Sequence, residues 1–124
     1  MKIKVQASIL ENGILENSIL EGVEVDVADL HILKEKNLQL AKHKPYTILV
    51  TSGPFSTITK EAMDLVSSKE FQHLTIAKAI LVNSRTHKII SSFYLNFKKP
   101  AIRTKIFTDR VKAIAWLREQ LKGA

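Results

Sequence analysis

The chain has 124 residues, 45% hydrophobic and 25% charged, with four Gly, three Pro and no Cys, which fits one folded domain over 1–124 and excludes a disulfide scaffold, a thiolate metal site and thiol catalysis. The formal charge is +7, but the excess is local: residues 1–30 carry two Lys against six acids, whereas 71–108 carry seven bases and no acid. The longest purely aliphatic stretch is Ala79 to Val82, so neither a signal peptide nor a membrane span is expected and a cytoplasmic location follows.

Ile3, Val5, Ala7 and Ile9 alternate with polar residues, which predicts an opening strand with one buried face. Asn12-Gly13 is a hairpin signal, and a second extended segment is expected over residues 14–20. A three-residue loop would put Leu15 and Ile19 on the face of the first strand's apolar set, and a two-residue loop would split them. Asp26 with Asp29 three residues on resembles a helix cap, and Val27, Leu30, Leu33, Leu38 and Ala41 then fall on one arc. Pro45 ends that helix. Tyr46 to Thr51 is apolar on both faces, as a central strand must be. Ser52-Gly53-Pro54 breaks it, and Thr57 or Thr59 caps a short helix running to Val66. A third core strand is expected over Thr75 to Val82.

Asn83-Ser84 reads as a strand end and cap, with Ile89, Ile90, Phe93 and Phe97 forming a helical stripe before Lys98-Lys99-Pro100. Arg103 to Phe107 makes a last strand. Thr108 or Asp109 caps a final helix in which Val111, Ile114, Ala115, Leu117 and Leu121 face inward. The order ββαβαβαβα predicts an α/β fold: a mostly parallel mixed sheet of about five strands, an N-terminal hairpin and four flanking helices.

Chemistry-bearing motifs are scarce. No glycine-rich dinucleotide or P-loop pattern occurs, and in Ser52-Gly53-Pro54-Phe55-Ser56 the proline removes an amide that a phosphate cradle would use. The four histidines are isolated, and Glu61 with Asp64 reads as a polar helix face beside Lys60. No cofactor, no metal and no enzymatic activity are expected. The basic segment carries no nucleic-acid signature, so only weak, salt-sensitive and unspecific binding to DNA or RNA is expected. Its charges suit a solvated surface, or attraction of an anion through Arg85, Lys88 and Arg103. Trp116, off the main arc of its helix, either covers the core's rim or anchors an interface.

Thr59-Lys60-Glu61-Ala62, the strand Ala77 to Ser84, the run Phe93 to Pro100, and Ile106-Phe107-Thr108-Asp109 followed by Ala115-Trp116-Leu117 resemble small bacterial STAS/SpoIIAA-like proteins over roughly residues 14–121. The resemblance implies a STAS-type sheet flanked by helices. In the anti-sigma-factor antagonists of that superfamily, a Ser in an Asp-Ser-Ser-Gly motif at a helix start is phosphorylated. Here the region reads Ser56-Thr57-Ile58-Thr59-Lys60-Glu61, so the motif is absent and Thr57, Thr59 and Lys60 are the candidate switch surface, with helix capping as their ordinary role.

The resulting expectation is a non-catalytic interaction module in bacterial regulation with an unknown regulatory protein partner. The rival is a binder of a small anionic or lipid-like ligand. A deep apolar pocket would favour the ligand binder, and a filled core with a flat surface at Thr57 to Lys60 the module. Docking of the acidic N-terminal segment on the basic one across a two-fold axis leads to the expectation of a homodimer.

Overall fold

The computed structural model describes residues 3–83 and 101–124. In chain order the elements are β1 (Val5–Glu11), β2 (Ile14–Ile19), β3 (Glu24–Val25), α1 (Val27–Leu40), β4 (Tyr46–Ser52), β5 (Thr57–Ile58), α2 (Lys60–Val66), β6 (Thr75–Leu81), β7 (Arg103–Phe107) and α3 (Arg110–Lys122). The five-stranded sheet has the order β1-β2-β4-β6-β7, and β3 with β5 forms a separate two-stranded sheet. Only the β1–β2 pair of the large sheet is antiparallel. β4 and β6 are adjacent, parallel and internal, as their two-sided apolarity requires. The predicted helix carrying Ile89, Ile90, Phe93 and Phe97 lies outside the described residues, as do Arg85 and Lys88.

The hairpin resolves its own register. Glu11 pairs with Ile14 across a two-residue turn, but the ladder shifts between Ile9 and Glu11, so one extra residue, Leu10, sits in β1 as a bulge. Val5 still faces Ile19 and Ile9 faces Leu15, the pairing an odd loop would have produced. The bulge turns Leu10 toward the opposite face, where it packs on the core. Ile3 and Ile9, expected inside, are 60% and 54% exposed, because β1 is an edge strand and α1 does not cover its ends. The separate β3–β5 pair has no period-2 run to announce it, being two residues per strand.

Side-chain alternation sorts the sheet into two faces. On one, Ile14, Leu49 and Ala79 pack against Ala113 and Leu117 of α3, with Phe107, Ile114, Trp116 and Leu121 around them. On the other, Leu15, Tyr46 and Ile48 meet Leu38, Leu40 and Ala41 at the end of α1, while Val25, Leu30 and Ala62 join α1 to α2. Val111 and Ala115 are not part of α3's inner face: Val111 is 75% exposed, and the inward arc is Ala113, Ile114, Trp116, Leu117 and Leu121. The true helix start at Arg110, capped by Asp109 through Lys112 N–H (3.1 Å), places that arc. The α3 face is tied at its rim by Arg110 on Glu16 and Arg118 on Glu11.

Gly13 holds the turn with φ +85°, and a Cβ there would come within 2.7 Å of Leu121 Cδ2. Its carbonyl accepts Thr47 N–H at 2.9 Å, so the turn is wedged between β4 and α3. Gly13→Ala is expected to lower stability by about 1–2 kcal/mol, because alanine is strained at positive φ and must displace the leucine; urea denaturation of the two proteins measures it.

Candidate functional site

The α1/α2 face of the sheet is not filled. Between it and the two helices lies a cavity of about 420 Å³, within the size range of small-molecule sites. Its floor is made by alternate residues of three parallel strands: Tyr46, Ile48 and Val50 of β4, Thr75, Lys78 and Ile80 of β6, and Thr104 of β7. In β6 this set is possible only because of a second bulge. Tyr46 pairs with Thr75 but Thr47 with Ala77, so Ile76 is the extra residue and Thr75 shares a face with Lys78 despite the odd spacing. Lys78 lies between Ile48 on one neighbouring strand and Thr104 on the other.

The roof comes from α1 and from α2 with the turn that follows it: Leu30, Leu33, Met63, Val66 and Phe71. α1 begins with a reciprocal capping box, Asp29 N–H on Asp26 Oδ1 and Asp26 N–H on Asp29 Oδ2, both at 2.9 Å. That start fixes the helix phase, and the arc that carries Leu30 and Leu38 also carries Lys34 and Asn37. Asn37 exchanges two hydrogen bonds with Asn17 of β2, at 2.7 and 2.8 Å, in the buried layer. Lys34 Nζ donates to the Tyr46 hydroxyl (2.9 Å), the His73 carbonyl (2.6 Å) and Thr75 Oγ1 (3.0 Å). These contacts spend the amine's donors and fix its head at the cavity's edge.

Lys78 is held differently. The residue is 9% exposed, it faces the cavity, and among the described residues it has neither a hydrogen-bond partner nor a paired carboxylate. Burial, with the charge of Lys34 adding to it, pushes its pKa down to about 8. Burial alone takes Lys34 down to about 8. Burial raises the Tyr46 hydroxyl, against the opposing hydrogen bonds from Thr75 and Asn37. No Asp or Glu is among the described residues around the cavity. The site is therefore an apolar chamber whose polar content is two amines, a phenol, the hydroxyls of two threonines and two serines, and amide side chains, an arrangement that accepts an anion or a carbonyl oxygen and repels a cation. No cluster of three metal-ligating side chains occurs among the described residues.

A model of the family described as "Domain of unknown function (DUF7793)" matches residues 8–121. The chain belongs to this family. An uncharacterised protein of the DUF3478 family from Shewanella loihica PV-4, with a SpoIIAA-like fold, superposes on it with a TM-score of 0.62 at 13% identity, covering 91% of each chain. No curated protein matches. At that identity the likeness concerns the fold, and the DUF7793 chain has the SpoIIAA-like, STAS-type α/β architecture that its sequence resembles. No described helix is long and apolar enough to cross a membrane.

The residues singled out from sequence lie elsewhere in this DUF7793 domain. Arg103 shares the α3 face with Ala77, its partner in the ladder, and donates to Gln120 Oε1 at 3.0 Å, so it does not flank the cavity. Trp116 packs at 5.7 Å from Phe107 on the same α3 side. Thr59 is the cap of α2, accepting Ala62 N–H at 3.1 Å. Thr57 is not a cap but a β5 residue with an exposed side chain, its N–H donated to the Val23 carbonyl at 2.9 Å. Lys60 is exposed at the helix start. Of the N-terminal acids, Glu11 and Glu16 meet Arg118 and Arg110, and Asp29 meets Lys4 at 2.6 Å within the same chain. Lys34, Asn37 and Lys78 went unsingled, although a lysine inside the apolar run TIAKAILV was a visible signal.

Two outcomes follow from these positions. Thr59→Ala is expected to cost about 1 kcal/mol by loss of the cap, Thr59→Asp to be near neutral, and Thr57→Ala to stay within about 0.5 kcal/mol; thermal melts of the three variants distinguish a cap from a surface strand residue. Lys78 titrates at about 8 in the folded protein and near its ordinary value of about 10.4 when unfolded. Between these values the unfolded state binds more protons, so stability rises with pH there, and the penalty is fully present below pH 8. Lys78→Met is expected to add roughly 1–3 kcal/mol at pH 7 and to flatten that rise, read as urea midpoints at pH 7 and pH 9.5.

Proposed function

We propose that this domain is a receptor for a small amphipathic ligand, with an acyl-like apolar body and an anionic or carbonyl oxygen at its head. The supporting observation is the pairing of a cavity of about 420 Å³ with the two lysines that face it, Lys34 and Lys78, and no acid beside them among the described residues. The apolar floor and roof supply the transfer free energy, about 25 cal/mol per Å² of ligand surface covered. The amines supply orientation: a carboxylate beside Lys78 relieves a buried charge that the described residues leave without a counter-ion. The cavity, and not the Thr57–Lys60 surface, holds the unfilled volume, which favours ligand binding over the interaction module.

Dodecanoate is a direct probe. At a free concentration about 100-fold above its Kd it is expected to stabilise the domain by about 2.7 kcal/mol, seen as a rise in Tm, and affinity is expected to fall as pH climbs through 8 and the amines lose their protons. Ile80→Trp, which fills the floor, should abolish the shift. No change in Tm with fatty acids of eight to fourteen carbons, together with no co-purifying small molecule in native mass spectrometry, overturns the reading.

A second reading, a regulatory protein partner at the loop before β5, is favoured by Phe55. This side chain is 86% exposed on a residue at φ +60°, and the loop is braced by Ser56 Oγ–H on the Gly53 carbonyl (2.8 Å) and Gly22 N–H on the Pro54 carbonyl (3.0 Å). A rigidly presented aromatic beside Thr57 is an anchor-and-switch arrangement. A partner captured by the wild type and lost on both Phe55→Ala and Thr57→Asp supports it; capture unaffected by either rejects it.

A further inference from the structure

We propose that Lys78 is a nucleophile: its amine forms a reversible imine with the carbonyl carbon of an amphipathic aldehyde or ketone seated in the cavity. The proposal rests on the cavity being a ligand site and names the reactive class of ligand that it takes.

The geometry that carries it is the contrast between the two lysines. Lys34 Nζ is committed to three oxygens, on Tyr46, His73 and Thr75, and so is held in place away from an incoming carbonyl. Lys78 projects from an internal strand between Ile48 and Thr104, faces an apolar chamber and has no hydrogen-bond partner among the described residues. A lysine desolvated in an apolar pocket next to a second cationic group is activated as a Schiff-base nucleophile, because both influences favour the free amine. At pH 8 about half of Lys78 is the free amine on a pKa of about 8, against well under about 1% of an ordinary exposed lysine. The same desolvation favours loss of water from the adduct and keeps bulk water from reversing it.

The step balances without a further reagent. The Lys78 lone pair forms the N–C bond, the carbonyl π pair moves to oxygen, and one proton passes from nitrogen to that oxygen to give the carbinolamine. A second proton, taken from solvent, converts the hydroxyl to water. As water leaves, the nitrogen lone pair closes the C=N bond, and loss of the remaining N–H proton returns the one that solvent gave. The sum is amine plus carbonyl to imine plus water.

Trapping with decanal and sodium cyanoborohydride at pH 7.5, followed by intact mass and peptide mapping, tests it. The expected result is a single addition, the mass of decanal less one oxygen, on Lys78, at least ten-fold faster than on any other lysine or on the terminal α-amine. The α-amine has an ordinary pKa of about 8, so selectivity over it separates the cavity from mere amine basicity. Excess dodecanoate should suppress the labelling in the wild-type protein, a control that needs no variant. Lys78→Arg should remove it, and in Lys34→Met the pH midpoint for labelling should move upward. Label spread over surface lysines, or placed on Lys34, overturns the proposal. If dodecanoate raises Tm but decanal is not trapped on Lys78, the imine fails and the receptor reading stands; if neither ligand has any effect, both fail.

Discussion

Two-sided burial of β4 is the constraint from which the rest of the structure follows. Tyr46, Thr47, Ile48 and Leu49 are all buried, and parallel partners occupy both edges of the strand, so neither its faces nor its backbone can meet water. Cover is then required above and below: α3 supplies one side, α1 with α2 the other. The same alternation assigns every residue of the neighbouring strands to a side. Because β6 is pinned to β4 with its bulge at Ile76, Lys78 goes to the α1/α2 side and Ala79 to the α3 side. A slip of one residue would drive the ammonium into the packed α3 core and hand the cavity an alanine.

The two sides are consequently built on different principles. Against α3 the sheet presents Ala77 and Ala79, and the helix answers with Ala113. Small residues on both surfaces let helix and sheet approach closely, and Leu117, Ile14 and Leu49 fill what remains. Guanidinium–carboxylate pairs at the rim add orientation; Arg110 beside Glu16 holds that carboxyl below its ordinary range. On the other side the Asn17–Asn37 exchange and the Lys34 contacts with Tyr46 and Thr75 clamp α1 to the sheet at fixed points. These polar contacts fix where α1 sits over the sheet, beside the unfilled space. A buried, fully hydrogen-bonded polar layer specifies position more than it adds stability.

Much of the scaffold was legible in the sequence because backbone requirements write themselves into local pattern. Period-2 runs, Asn12-Gly13, the Asp26–Asp29 box, Pro45 and the capping Asp109 place most element boundaries to within a residue or two. What escaped were the features set by pairing between segments. Leu10 and Ile76 look like ordinary strand residues, and only the partner strand's register makes them bulges. Thr57 and Thr59 are equally good caps on paper; pairing of Thr57 with Glu24 in the small sheet leaves Thr59 as the helix start. The site escaped for a related reason. Lys34 and Asn37 interrupt an apolar arc, and a helix read for its hydrophobic stripe assigns its polar residues to solvent. Lys78 was counted with a basic surface, yet it lies in a strand with no solvent face. The charge asymmetry along the chain was real in composition, but Arg103 and Lys78 belong to opposite sides of the sheet.

That separation bears on why the cavity keeps an accessible amine. Four carboxylates with ion pairs among the described residues, on Glu11, Glu16, Asp26 and Asp29, meet Arg118, Arg110 and Lys4 away from the cavity. A single acid reaching into the chamber would pair with Lys78, hold it protonated and occupy the place proposed for a ligand oxygen. With none among the described residues there, burial pushes the Lys78 amine toward its neutral form, while Lys34, committed to its three oxygens, keeps a positive charge at the edge whenever it is protonated. In the proposed receptor the two amines differ in role because they differ in partners: Lys34, bonded to three oxygens, sets the field, and Lys78, without a partner among the described residues, meets the ligand.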